Sequence, residues 1–345
     1  MKKLILILYA AFFLIACGDD KNQNGEKLTT DSFVSADETK ESIIDSNTVL
    51  LRYKFDKGKK FSYRLTTNTE SNQKLQADTT INSGMDQEVS YVFDLNVINI
   101  DEDSIAEIEA VANSIKMEAL INGQQVKYES GFILSSREQM QFAEYESMLN
   151  NPFRFRIDNR GEILEVFNIE EIVNKMLSVQ GVLDSVSAEQ KKSIYSEAAE
   201  GAFKPLVQQL FKVLPSEKVG EDSSWQFDYP GALATFQITN TARFTVKDFY
   251  EESDDSLALF DADLQASVSG EKSFTENDID YTFSKPDISA DGEIIFNISK
   301  GLIAKSNTTT RVTLTTMASS QNEQTGNKKI FKYETTINKN RVELL

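Results

Sequence analysis

Histidine is absent from the 345 residues, and cysteine occurs once, at Cys17. These two gaps exclude a Ser-His-Asp triad, a Cys-His pair, a histidine-bearing zinc site and a dithiol redox centre. An intrachain disulfide is excluded as well. The fifteen glycines are scattered singly, so no Gly-rich phosphate loop can be drawn. Basic residues are scarce, 36 against 54 acidic, for a net charge of −18. That balance repels anionic partners and makes nucleic acid and anionic lipid headgroups poor candidates. No uncharged apolar run approaches the roughly 20 residues that span a bilayer as a helix. What is abundant is core material: 40% hydrophobic residues, with 22 Phe and 11 Tyr, enough for a sizeable folded core.

The longest apolar run, Leu4 to Ala16, follows Lys2 and Lys3 and ends against the only cysteine. A basic start, a short apolar middle and a small residue before a cut describe a secretory signal peptide, residues 1–16. Leu14-Ile15-Ala16-Cys17 resembles the lipobox of bacterial lipoproteins. That resemblance implies that Cys17 becomes the first mature residue and carries a diacylglyceryl lipid. Removal of residues 1–16 leaves 34 basic against 54 acidic side chains, a charge of −20. The stretch 17–47 is polar and acidic, with Phe33-Val34 and Ile43-Ile44 as its only apolar pairs. It cannot bury enough surface to offset its ordering entropy and reads as a disordered tether, about 30 Å in average reach. A leash and a linker without specific purpose fit it equally. Asp19-Asp20 resembles the surface-export tags of Bacteroidota lipoproteins.

From residue 48 onward the pattern is that of one α+β domain. Val49–Phe55 and Phe61–Thr67 read as a hairpin around Asp56-Lys57-Gly58. Strands are expected over Glu88–Ile100 and Ile105–Met117, then Ala119–Ile121 and Gln125–Tyr128 around the hairpin dipeptide Asn122-Gly123. Arg137–Leu149 reads as a short helix, and Phe153–Ile157 as a strand ending at the turn Asp158–Gly161. Helices are predicted in 168–214, with Asn168 and Ser187 as caps and Pro205 at a first turn. Strands resume at Ser224–Tyr229, Ala234–Asn240, Ala242–Tyr250, Leu257–Ala266, Asp280–Phe283 and Glu293–Ile298. Ile303–Met317 and Lys329–Leu345 close the chain, with 319–327 as a polar loop. Turns too short for parallel crossovers imply a mostly antiparallel, curved, half-barrel-like sheet. Its halves, about 48–166 and 220–345, would be joined by the helices of 168–214. Asp103–Ala110 echoes Asp255–Ala262, and Asp158–Leu164 echoes Ser289–Ile295; a duplication of the halves and chance similarity of turns fit these echoes equally.

Candidate chemistry is thin. Three acidic clusters, at 101–103, 251–255 and 276–280, could supply a carboxylate pair for glycan hydrolysis or oxygen ligands for calcium, or could be solvated hairpin tips. None matches a twelve-residue calcium loop. Ser299-Lys300-Gly301 reads as a turn rather than a nucleophile. The aromatics Tyr53, Phe55, Phe61, Tyr63, Tyr91, Phe93, Phe153, Phe155, Trp225, Phe227, Tyr229, Phe236, Phe244 and Phe296 fall on strand faces. Most are expected to fill a core, a minority to line a cavity for an acyl chain or other apolar ligand.

Leu51-Arg52-Tyr53-Lys54-Phe55-x-x-Gly58-x-x-Phe61-x-Tyr63 resembles the first hairpin of a family of Bacteroidota lipoproteins of unknown function. Phe153-x-Phe155-x-Ile157-x-x-x-Gly161-Glu162-Ile163, Gly220-x-x-x-x-Trp225 and Gly292-x-x-x-Phe296-x-x-x-x-Gly301 fit its later signposts. The resemblance implies a fold and no activity. The order of elements also resembles lipoprotein-carrier half-barrels. The expectation is a non-catalytic binding module for an apolar or envelope-derived ligand, without a cofactor and held to the bilayer through Cys17. The alternatives are a scaffold lipoprotein that docks an envelope protein, and a carboxylate-dependent glycan hydrolase. Gly18 after Cys17 lacks the aspartate that retains some lipoproteins at the inner membrane, so the outer membrane is expected, at its periplasmic face or the cell surface.

Overall fold

The computed structural model describes residues 48–276, 278–322 and 326–345. Cys17 and the stretches expected as signal peptide and tether lie outside the described residues. Fourteen strands occur among the described residues, with β1 Lys60–Gln76, β2 Thr80–Ile100, β3 Ala106–Ile121 and β4 Gln124–Glu129 leading. Next come β5 Phe153–Ile157, β6 Ile163–Phe167, β7 Ser224–Leu233, β8 Phe236–Glu252 and β9 Asp255–Gly270. The last are β10 Ser273–Glu276, β11 Ile279–Phe283, β12 Asp287–Asn297, β13 Leu302–Asn322 and β14 Gly326–Leu344. They form one antiparallel sheet in the order β6-β5-β3-β2-β1-β14-β13-β12-β9-β8-β7, with β4 on β3 and the β10–β11 hairpin on β13.

Period-two alternation builds the sheet. Tyr63 and Leu65 of β1, and Tyr91, Phe93, Leu95 and Val97 of β2, are all buried on one face. β3 switches its buried set from Ala106, Ile108, Ala110 and Ala112 to Ile115, Met117 and Ala119, because the register slips by one residue there. Similar slips occur in β8 between Val246 and Asp248 and between β12 and β13 at Ile295/Phe296. Each bulge bends its strand and raises the local twist, which curves the sheet into an open trough. Among the described residues the sheet edges at β6 and β7 are unpaired. Pro230 sits in β7, an edge strand, where proline's missing donor is tolerated.

Five α-helices are described: α1 Ser136–Gln141, α2 Ala143–Met148, α3 Glu170–Val179, α4 Ala188–Ala198 and α5 Lys204–Leu210. The expected helix over 137–149 is two short ones, broken at Phe142. Ser187 and Gln190 form the expected capping box of α4. Asn168 does not cap α3. It has φ +58°, a left-handed conformation that Asn tolerates as the chain leaves β6, and Ile169 takes the cap position. Pro205 lies in the first turn of α5, but that helix follows α4 through a π-helical turn, Ala199–Phe203, instead of starting afresh. The apolar faces of α3 and α5, among them Ile172, Leu177, Leu206 and Leu210, join the core within the trough.

The expected first hairpin does not form. Residues 49–55 run as irregular extended chain whose amides pair with three separate loops: Val49 with Val219, Tyr53 with Asn159 and Lys54 with Gly301. Leu51 and Tyr53 alternate inward as strand residues would, yet they plug the end of the trough. Pairing of β13 and β14 also extends into the stretch expected as a loop, to Asn322↔Gly326. The internal echo divides. Asp103 and Asp255 both lie at hairpin tips, leading into β3 and β9, whereas Gly161 occupies a turn with φ +93° and Gly292 the middle of β12.

Candidate functional site: a cavity under the helices

The helices cover only part of the concave face. Between that face and the segment from α5 to Val213 lies a cavity of about 540 Å³, within the roughly 300–1,000 Å³ typical of small-molecule sites. Its floor is made by the central strands and is unexpectedly polar. Thr67, Asn340 and Thr308 form one cross-strand row, and Thr69, Asn338 and Thr310 the next. Thr69 donates to Asn338 Oδ1 at 2.8 Å. Asn340 Oδ1 is buried with no hydrogen-bond partner among the described residues, the kind of orphaned acceptor that native structures rarely keep.

The walls are apolar. Val89 and Tyr91 of β2 stand on one side, and Ile238 and Phe244 of β8 with Leu264 of β9 on the other. Phe227 and Tyr229 of β7 close the far edge, half-buried, and burial pushes the Tyr229 hydroxyl up to about 12. The roof is Leu206, Phe211 and Tyr145. Of the aromatics expected on strand faces, Tyr53, Tyr63, Phe93, Phe153, Phe155 and Phe296 are buried in the core, and a minority faces the cavity.

Two ionisable side chains inside the cavity carry unusual environments. Glu144, the second residue of α2, is half-buried beside Tyr145, and desolvation raises its carboxyl to about 7. Lys212, just after α5, is also half-buried, and desolvation lowers its ammonium to about 8. Neither has an ion-pair partner among the described residues.

Lys212 is held by a tightly built segment. Phe211 anchors it, packing against the rings of Tyr53, Tyr63 and Phe155 at centroid distances of 5.5, 6.0 and 5.8 Å. The Tyr53 hydroxyl accepts from Lys212 N at 2.8 Å and donates to Lys212 O at 3.0 Å. Trp225 Nε1 donates to Val213 O at 2.8 Å, and Leu214 N to Arg160 O at 2.7 Å. Gln208 ties the segment to the β5–β6 turn by donating to Gly161 O and Phe211 O. Gly161 has φ +93°, and a Cβ there would lie 2.4 Å from Tyr53 Cε2 and 2.5 Å from Lys212 O. Glycine is therefore required for the clamp to close.

The acidic clusters do not converge. Asp101 caps the β2–β3 tip through its own loop amides and pairs with Arg156 at 2.7 Å. Asp255 pairs with Lys300 at 2.7 Å at the β8–β9 tip. The two hairpins are separated in the sheet by β1, β14, β13 and β12, and the third cluster caps the β10–β11 hairpin. Among the described residues no three carboxylates are placed to hold a metal ion. Ser299–Gly301 is a turn, as expected. A second depression, of about 800 Å³ and lined by Lys247, Asp261, Glu293, Lys339 and Arg341, is a wide, open, charged trough. Its side chains are spent partly on each other, as in Lys247–Asp261 at 2.9 Å, so the apolar-walled cavity under the helices is the better candidate ligand site.

No curated protein matches the chain in sequence. Among solved structures it is similar to lipovitellin, from a study of its lipid–protein interactions, with 11% identity and a TM-score of 0.38 over 85% of this chain. The chain spans a quarter of the lipovitellin chain. An outer membrane channel from Pseudomonas putida F1 is 9% identical with a TM-score of 0.16, covering 88% of this chain and all of the channel. Salmonella typhi OmpF is 10% identical, with a TM-score of 0.18, over 85% of this chain and 100% of its own. These scores are too low to carry any inference. Residues 103–303, more than half of the sequence, match a family of unknown function, and the chain belongs to that family, DUF6263.

Proposed function

We propose that this protein is a non-catalytic binding module that holds an amphipathic, envelope-derived ligand in the cavity under its helices. The observation that carries the reading is the pairing of apolar walls with a Thr/Asn floor in one half-open cavity of about 540 Å³. A trough meant only to be filled by core would be capped completely and floored with aliphatic residues. Here the central strands present Thr67, Thr308, Thr310 and Asn340 to the space instead. Apolar chain against the walls and a polar group over the floor would satisfy both. The sequence features around Leu14-Ile15-Ala16-Cys17 support a lipid anchor on Cys17 and residence at the outer membrane.

The test uses the single tryptophan. Trp225 stacks on Phe244, a cavity wall, with ring centroids 5.4 Å apart. Titration with an apolar probe such as decanol should change Trp225 emission saturably. Ala290→Phe, which fills the cavity from β12, should abolish the change while thermal unfolding stays cooperative. A wild-type protein that binds no apolar or amphipathic probe would remove the proposal.

A further inference from the structure

Resting on the reading of the cavity as a ligand site, we infer that its ligand carries an anionic head, a carboxylate or phosphate, seated on the ammonium of Lys212. The ammonium has three donors and no acceptor. One donor is used, by Nζ to Gln209 O at 3.0 Å, a carbonyl in the last turn of α5. Two donors are left in a half-buried position that lines the cavity. Burying a cation without a counter-charge is costly, and the cost is recovered when an anion arrives. The clamp by Tyr53, Gly161, Gln208 and Trp225 keeps the lysine backbone from moving to relieve this.

The other charged groups around the space do not supply that anion. Lys204 and Glu200, on α5 and the π-turn, pair with each other at 3.3 Å. Asp228, Asp263 and Asp291 line the cavity's sheet side but are exposed to water, which screens them. Glu162, on the β5–β6 turn, makes no ion pair with Lys212. Glu144 on α2 makes no ion pair with Lys212, and burial disfavours its charged form. The net charge of −18 discourages anionic surfaces at a distance, but beyond a Debye length of about 8 Å that field fades, and the local cation decides.

The experiment is calorimetric titration of the protein with three ten-carbon amphiphiles, namely decanoate, decyl phosphate and decanol, and with inorganic phosphate. Wild type should bind at least one anion about tenfold or more tighter than decanol, the effect of a charge-assisted hydrogen bond. Which of decanoate and decyl phosphate binds tighter identifies the head, and inorganic phosphate alone should bind too weakly to measure. Lys212→Met should erase the preference by weakening the anions relative to decanol, and Lys212→Arg should retain it. Equal affinity for decanol and both anions in wild type overturns the inference and leaves the cavity reading intact. Failure to bind any amphiphile overturns both. Because the wild-type comparison needs no variant, a misfolded Lys212→Met would not blunt the test.

Discussion

Glu144→Gln should stabilise the protein at pH 8 and do little at pH 5. Burial raises the Glu144 carboxyl from 4.5 to about 7. A carboxyl whose folded value lies above its unfolded value contributes stability that is fully present below the unfolded value. That contribution is lost as the pH rises through the folded one. The window here runs from about 4.5 to about 7. At about 1.4 kcal/mol per pH unit the full loss is about 3 kcal/mol, and water reaching the half-buried side chain reduces this to roughly 1–3 kcal/mol. Glutamine has the shape and neutrality of the protonated acid, so the variant escapes the loss. For a domain of this size the gain in Tm at pH 8 should be roughly 2–5 °C. Differential scanning calorimetry of both proteins at pH 5 and pH 8, at equal salt, reads the difference directly. Equal Tm differences at the two pH values, or a variant less stable at pH 8, would refute the placement of Glu144 in a desolvated wall.

Gly161→Ala should cost roughly 2–4 kcal/mol in urea unfolding, since alanine is strained at φ +93° and its Cβ meets Tyr53 and the Lys212 carbonyl. A cost below about 0.5 kcal/mol would mean that the clamp yields easily. Cys17→Ser should abolish acyl labelling and release the protein from the membrane fraction, because the proposed anchor would hold through lipid chains worth about 0.8 kcal/mol per buried CH₂. Unchanged retention and labelling would refute the lipobox assignment.

Much of the sheet was legible because period-two alternation and turn residues act locally. Asn122-Gly123 makes its hairpin with φ of +49° and +82°, as the dipeptide demands. The misreading of 49–55 shows where that logic stops. Leu51 and Tyr53 alternate inward whether the chain pairs with a strand or plugs the end of a trough, and only the distant partners Val219, Asn159 and Gly301 decide. The bulges that curve the sheet left no distinctive residue either, since Asn113 or Lys247 suits an ordinary exposed strand position. The cavity's polar floor was visible as Thr-rich closing strands without any sign that they faced inward. Lys212 and Glu144 were not singled out at all. Glu144 sits in a Glu/Gln-rich helix like any solvated residue, and Lys212 follows a helix end where lysine is common. Their environments arise from the roof that Phe211 and Tyr145 build over the sheet, a contact between segments far apart in sequence.

The most direct test of the account is native mass spectrometry of the untagged protein as isolated from its own cells. A single bound amphiphile, released on unfolding and absent from Ala290→Phe, is the predicted result. A bare polypeptide mass in wild type, after correction for any covalent lipid on Cys17, together with no uptake of added amphiphile, would contradict it.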